Sequence, residues 1–246
     1  MLFRSESLPN DEFVLLGTSE SPASTTVGNK TSDSKGGKDY WLIKIDANGD
    51  KIWDKSYGGL LYGGFNTDIP KSMVVANDGK ITIAGTSNAG SGNDKTRNNI
   101  GGNSNSDIWL IQVNTDGGKI WDKTYGTYYG SEEAKSITTT NQGRYIVSGT
   151  TTSAFKGNDF SQDLRGYQYS DYWIMELDAN GEKLWDKSFG GSLPDDVANV
   201  IVENNSLIIS GTSYSGISHD KSQPSDRKST RLNSSHRNTS RMPSSA

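Results

Sequence analysis

The residues of this 246-residue chain best suited to chemistry are carboxylates, amides and aromatic rings. Asp46, Asn48 and Asp50 alternate as the ligands of a calcium loop do. Such a loop needs several more oxygens, usually including a bidentate carboxylate. The stretch Asp46-Ala-Asn-Gly49 instead places glycine where a short hairpin needs a positive φ, and the turn is the better reading. Two acidic pairs, Glu132-Glu133 and Asp195-Asp196, bring glycoside hydrolysis to mind, which uses carboxyls about 5–9.5 Å apart. Neighbours in a strand point to opposite faces, so neither pair is a ready dyad, and both are expected to be solvated link residues. With no Cys and two His, thiol chemistry, a disulfide framework and Cys-ligated zinc are excluded. A His-based triad or multi-His metal site has almost nothing to draw on. The residues mark no catalytic, cofactor-binding or metal set.

The remaining candidates are rings. Tyr62 with Phe65, and Tyr128 with Tyr129, occur in links close to long stretches of Asn, Asp, Ser and Thr. A flat apolar face beside polar groups is what a glycan surface requires, and these four residues form a possible ligand face. Burial between neighbouring structural units is the competing use, since large aromatics in repeats usually have neighbours to cover.

The elements that must carry these residues come from an internal repeat, the first thing to look for in a chain of this length. Segments 39–58, 107–126 and 171–190 align, with Trp pairs Trp41/Trp53, Trp109/Trp121 and Trp173/Trp185 that account for all six Trp. Gly-Thr recurs in step at 17–18, 85–86, 149–150 and 211–212. Each unit reads as four short strands rich in β-branched and aromatic residues and bounded by Gly, Asn or Asp. The third strand starts apolar on both faces, as a covered strand does, and Lys44, Gln112 and Glu176 mark where one face should meet solvent. The fourth, with Lys51, Asp54 and Lys55 around Trp53, reads as an outer, partly wet strand whose charges discourage edge pairing. Turns ending in Gly49, Gly117 and Gly181 join strands three and four.

Four antiparallel strands repeated in tandem predict an all-β chain, an incomplete β-propeller of about three and a half blades. The blades fall at about 1–58, 69–126 and 133–190, with a half-blade at 196–213. Propeller repeats usually run about 40–50 residues; here the excess lies between strands two and three, at 19–38, 87–106 and 151–170. Loops longer than about 12–15 residues tend to be functional or disordered.

At Asp39–Gly59 the chain resembles the propeller-type repeats of secreted and cell-surface proteins of Bacteroidetes, of the form Asp-Tyr-Trp, two apolar residues, Lys, apolar, Asp-x-x-Gly-x-x-x-Trp, ending aromatic-Gly-Gly. Residues 171–191 fit with Glu176 in place of Lys, whereas 107–127 depart at Ile108, Gln112 and Thr127. The resemblance covers roughly residues 1–225. It implies an exported protein, by kinship with chains that often carry a type IX secretion sorting domain. Quinoprotein and outer-membrane-assembly propellers share the Asp-x-x-x-Gly-x-x-x-Trp element, and the resemblance implies that Trp53, Trp121 and Trp185 dock between blades. The quinoprotein enzymes' catalytic Asp and calcium ligands have no counterpart in this sequence.

From Asp226 the character changes. Residues 226–246 contain no aromatic residue and resemble a translated sequencing adapter, so they are expected to be a non-native, disordered tail. The first 225 residues then carry a net charge of −8, against −4 for the whole chain, which argues against nucleic-acid binding. No apolar run approaches the roughly 20 residues of a membrane helix, and no membrane insertion is expected. Met1 falls inside the repeat, so the expected partners include missing neighbouring blades of the same chain. The expected function is non-catalytic binding of a glycan or protein ligand, or scaffolding, at a bacterial surface. Two other readings are a carbohydrate-active or quinoprotein-like enzyme and a structural spacer.

Overall fold

A computed structural model describes residues 2–24, 26, 28–60, 66–102, 104–153, 155–163, 169–204, 206–224 and 234–236. The described residues are all-β, apart from a 3-10 turn at Pro9–Asp11. Three sheets are four-stranded antiparallel meanders of the propeller-blade type. The first comprises β1 (Leu2–Ser7), β2 (Phe13–Ser19), β3 (Asp39–Ile45) and β4 (Lys51–Tyr57). The second comprises β5 (Asp68–Val75), β6 (Ile81–Ser87), β7 (Asp107–Val113) and β8 (Lys119–Tyr125). The third holds β9 (Glu132–Thr139), β10 (Tyr145–Thr151), β11 (Asp171–Leu177) and β12 (Lys183–Phe189). A fourth sheet contains β13 (Asp195–Glu203), β14 (Ser206–Ser213) and β15 (Ser234–His236). No described helix is long and apolar enough to cross a membrane.

The chain divides into two compact units, 1–126 and 127–246. In the first, the β1–β4 and β5–β8 sheets share one core: Val14, Leu16, Tyr40 and Leu42 pack with Met73, Ile83, Trp109 and Val113. In the second, Ile146 and Ile174 pack with Val197, Val200 and Leu207. Every first strand slips by one residue against its partner at the same place, between Leu2/Arg4, Pro70/Ser72, Ala134/Ser136 and Val197/Asn199. An extra residue there increases the local twist, so the bulge is part of the repeat.

The Trp residues divide by strand. Trp109 and Trp173 are fully buried in third strands, and Trp41, at the equivalent position, is partly covered. Trp53 lies on β4 and packs against the first unit's core; Trp121 and Trp185 hold the same register on β8 and β12. Lys44, Gln112 and Glu176 do not meet solvent as expected, being 8%, 4% and 3% exposed. Each has found a polar partner instead: Lys44 pairs with Glu12 at 2.7 Å, Gln112 donates to Thr82 Oγ1 at 3.0 Å, and Trp185 donates to Glu176 at 2.5 Å. A buried polar group so satisfied carries little penalty.

Ser234–His236 depart from the expected structureless tail, pairing with Ile209–Gly211 on β14. Strand edges present unmet N–H and C=O groups that any extended polar segment satisfies. The rest of 226–246 lies outside the described residues.

Each hairpin turn caps its own backbone with the side chain of its first residue. Asp46 Oδ1 accepts the N–H groups of Asn48 and Asp50, both at 2.9 Å. Asn114 and Asp178 repeat the arrangement. In each turn the side-chain oxygen is spent on the turn's own backbone N–H groups, the capping that Asp and Asn both provide. Gly49 has φ +86° with open space around it, so Gly49→Ala is expected to cost about 1 kcal/mol through backbone strain alone. Millimolar calcium should leave the melting temperature of either protein unchanged; a calcium-dependent rise would restore the metal reading.

Candidate functional site

The long links between second and third strands have internal order. Gly92 pairs with Lys95, Gly157 with Phe160 and Ser218 with Lys221 as tight two-sided bridges. At the bend Asn93, Asn158 and His219 each take positive φ, near +50°, a conformation that Asn and His adopt more readily than most residues. The repeated signal is Gly-Asn-Asp-Lys95, Gly-Asn-Asp-Phe160 and Ser-His-Asp-Lys221. It is short and spaced irregularly from the Trp pairs, which is why composition alone reads it as loop.

The residues after the turns at Lys95 and Phe160 reach a carboxylate of the fourth strand, and Thr31 and Ser32 do so in the first sheet. Asp54, expected on a wet strand, is 4% exposed. It accepts from Thr31 N at 2.9 Å, Thr31 Oγ1, Ser32 N at 3.0 Å and Ser32 Oγ at 2.7 Å. Trp41 Nε1 donates to it at 3.0 Å and Lys51 Nζ at 2.7 Å. Asp122 and Asp186 repeat the clamp with Thr96 and Ser161 from the loop, Trp109 and Trp173 from the third strand, and Lys119 and Lys183 three residues back. These donors outweigh burial and hold Asp54 well below the usual carboxylate range, and they lower Asp186 as well.

The same end of the sheets carries the links between blades. In the first unit Gly58 N donates to Asp94 Oδ2 at 3.3 Å, Asn93 Nδ2 donates to Gly59 O at 3.0 Å, and Leu60 bridges to Gly90. The second unit repeats this: Gly190 N donates to Asp220, and Leu193 N to Ser215 Oγ at 2.9 Å. Long loops and inter-blade links are therefore tied together, as alternating strand directions require.

Glu132 and Asp195 are not solvated link residues as expected; they are 0% and 3% exposed. Glu132 accepts from Thr127 N at 2.9 Å and from the hydroxyls of Thr127 and Thr151, both at 2.8 Å. Asp195 accepts from Gly191 N at 2.7 Å and Ser215 Oγ at 3.0 Å. Asp68 holds the equivalent place in the first unit, accepting from Gly59 N at 2.9 Å. Their neighbours Glu133 and Asp196 face solvent, so strand alternation splits both pairs. Each buried carboxylate organises a link backbone. Among the described residues no group of three or more His, Cys, Asp or Glu is arranged to hold a metal ion.

The rings behave differently. Tyr128 and Tyr129 are 59% and 73% exposed, with ring centroids 4.9 Å apart and edge-on. Phe155, from the long loop of the same blade and 53% exposed, stands edge-on to Tyr129 at 6.3 Å. Sequence reasoning missed Phe155 because it sits alone in a polar stretch. Tyr62 and Phe65 lie outside the described residues.

No protein-family model matches the chain, and no curated protein matches it. Among solved structures, the periplasmic gluconolactonase of Pseudomonas aeruginosa is similar at 9% identity and a TM-score of 0.34, over 86% of this chain and 68% of that one.

Proposed function

We propose that this chain is a non-catalytic binding module of propeller type, exported and displayed at a bacterial surface. Its ligand, a glycan or a protein segment, lies on the loop end at Tyr128, Tyr129 and Phe155. The observation that carries this reading is the exposure of three contacting rings from two separate segments. Tyrosine offers rigid contact area with few rotatable bonds and a hydroxyl at its tip, and clustered exposed apolar surface marks interaction sites. The buried acids nearby are engaged with backbone and hydroxyl donors, which favours binding over hydrolysis. Export and surface display rest on the repeat pattern that begins Asp-Tyr-Trp.

A glycan array and a peptide display library, both probed with the 246-residue protein, test the proposal. Tyr128→Ala/Tyr129→Ala should weaken captured binding at least about 30-fold, equivalent to the roughly 2 kcal/mol lost at a binding hot spot. Exposed positions contribute within about 0.5 kcal/mol to stability, so the melting temperature should hold. Early melting of the variant, or no ligand in either library, would overturn the binding role and leave a spacer.

A further inference from the structure

The second sheet's long loop encloses a polar chain that the binding proposal does not use. Lys95 is 1% exposed, and its Nζ donates to Ser87 Oγ and Ala89 O, both at 2.9 Å, and to Asn99 Oδ1. Asn99 is 6% exposed. Its amide orientation follows from its own donors: Nδ2 reaches Ser87 O at 2.8 Å and Asn105 O at 2.9 Å, leaving Oδ1 on the Lys95 side. Ser87 stands directly opposite the buried Asp68 in the β5–β6 ladder. One continuous line runs from Asp68 through Ser87 and Lys95 to Asn99.

The geometry points to an intramolecular isopeptide bond between Lys95 Nζ and Asn99 Cγ, with Asp68 accepting a proton through Ser87. The ammonium passes a proton along the Ser87 hydroxyl to the Asp68 carboxylate, which frees the Nζ lone pair. Nζ attacks the amide carbon, and a C–N bond forms as the carbonyl π pair moves to Oδ1. The bonded Nζ, now carrying two protons and a positive charge, passes one of them to Nδ2, the carbonyl re-forms, the Cγ–Nδ2 bond breaks, and ammonia departs, leaving the first proton on Asp68. Lys95 supplies the nitrogen and Asn99 the leaving group, so no oxidant or other reactant is required.

Two environmental effects support the step. Burial pushes the Lys95 amine down to about 8 and the Asp68 carboxyl up to about 6, so proton exchange between them is less uphill than in water. Asp68, Asp107 and Asp122 are the charged groups facing Lys95 and partly offset its desolvation. The low exposure also shields the product amide from hydrolysis. The other loops lack the pair: Lys30 is followed four residues later by Ser34 and Lys221 by Ser225, while Phe160 replaces the lysine in the third sheet. Lys221, whose Nζ also meets a serine hydroxyl, Ser213 Oγ at 3.0 Å, is thus an internal control that should stay unlinked.

Intact-mass spectrometry of the purified full chain tests this directly. The expected mass lies about 17 Da below the encoded value, the loss of ammonia, with a branched tryptic peptide joining Lys95 to Asn99. Asn99→Ala should return the encoded mass, and Asp68→Asn should slow bond formation at least tenfold in freshly folded protein. Formation should quicken between pH 6 and pH 9 as Lys95 loses its proton. The encoded mass persisting in wild-type protein after days at pH 8, with the linear Lys95 peptide recovered, would overturn the proposal whatever the variants do.

Discussion

Asp54→Ala will destabilise the first sheet by about 3–5 kcal/mol, the range for breaking a buried, hydrogen-bonded charge pair. Six donor groups converge on this one carboxylate, from the loop residues Thr31 and Ser32, from Trp41 and from Lys51. Removing it takes the acceptor from an indole N–H, two backbone N–H groups and the Lys51 ammonium, and a hydrogen bond to a charged group is worth about 1.5–3 kcal/mol. Asp54→Asn keeps the shape but offers one acceptor oxygen, and should fall between wild type and Ala. Denaturant midpoints, with amide exchange at Thr31 and Ser32 as the local readout, check this. The acid dependence has a definite sign. A carboxylate whose folded value is depressed stabilises at every pH above its unfolded value near 4, and the contribution is lost only as pH falls through the folded value. Wild-type loop protection should therefore persist from pH 7 to pH 4. Loss of loop protection at pH 5 in wild type would show that Asp54 does not hold the loop.

Gly85→Ala should be nearly as damaging, at about 3 kcal/mol, near the upper end for overpacking a tight core. A Cβ at Gly85 would overlap both Tyr40 Oη, from the neighbouring sheet, and the Ile69 carbonyl of its own sheet. Tyr40 cannot swing away freely: it is fully buried, donates to Trp109 O at 3.1 Å and packs on the Trp109 ring at 4.7 Å. Tyr40→Phe in the Gly85→Ala background should recover less than half of the loss, because the Ile69 carbonyl remains in the way. Full recovery would place the whole conflict at the tyrosine hydroxyl. Gly211, beside Tyr172 Oη and the Asp196 carbonyl, stands in the same relation within the second unit.

These two sites show what could be read from residues alone. The Gly-Thr pairs, the Trp pairs and the turn glycines mark strands and sheets to within a residue or two, because strand chemistry is local: alternation, β-branching and a glycine at positive φ. The reason for the glycine at 85 is not local. It makes room for a tyrosine 45 residues earlier in the chain, a relation visible only once two sheets face each other. The role of Asp54 is hidden for the same reason. A charged residue between lysines on an outer strand looks solvated until a loop from 22 residues upstream folds over it. The acidic pairs divide as strand alternation requires, but alternation does not say that Glu132 and Asp195 take the inner face. The ring site was half legible: Tyr128 and Tyr129 stand out beside polar residues, whereas Phe155 joins them only through the loop's path.

The recurring aspartate clamp has a consequence for how such chains can change. In three sheets the long link is fastened near its middle, where Thr31, Thr96 or Ser161 meets an outer-strand carboxylate. The spans on either side of that fastening are separate pieces of sequence under separate constraints. Residues can be exchanged or inserted in one span while the other, and the sheet beneath, keep their register. A library built by replacing residues 20–28 as a cassette, with the clamp residues untouched, would vary the surface of that loop on an unaltered frame.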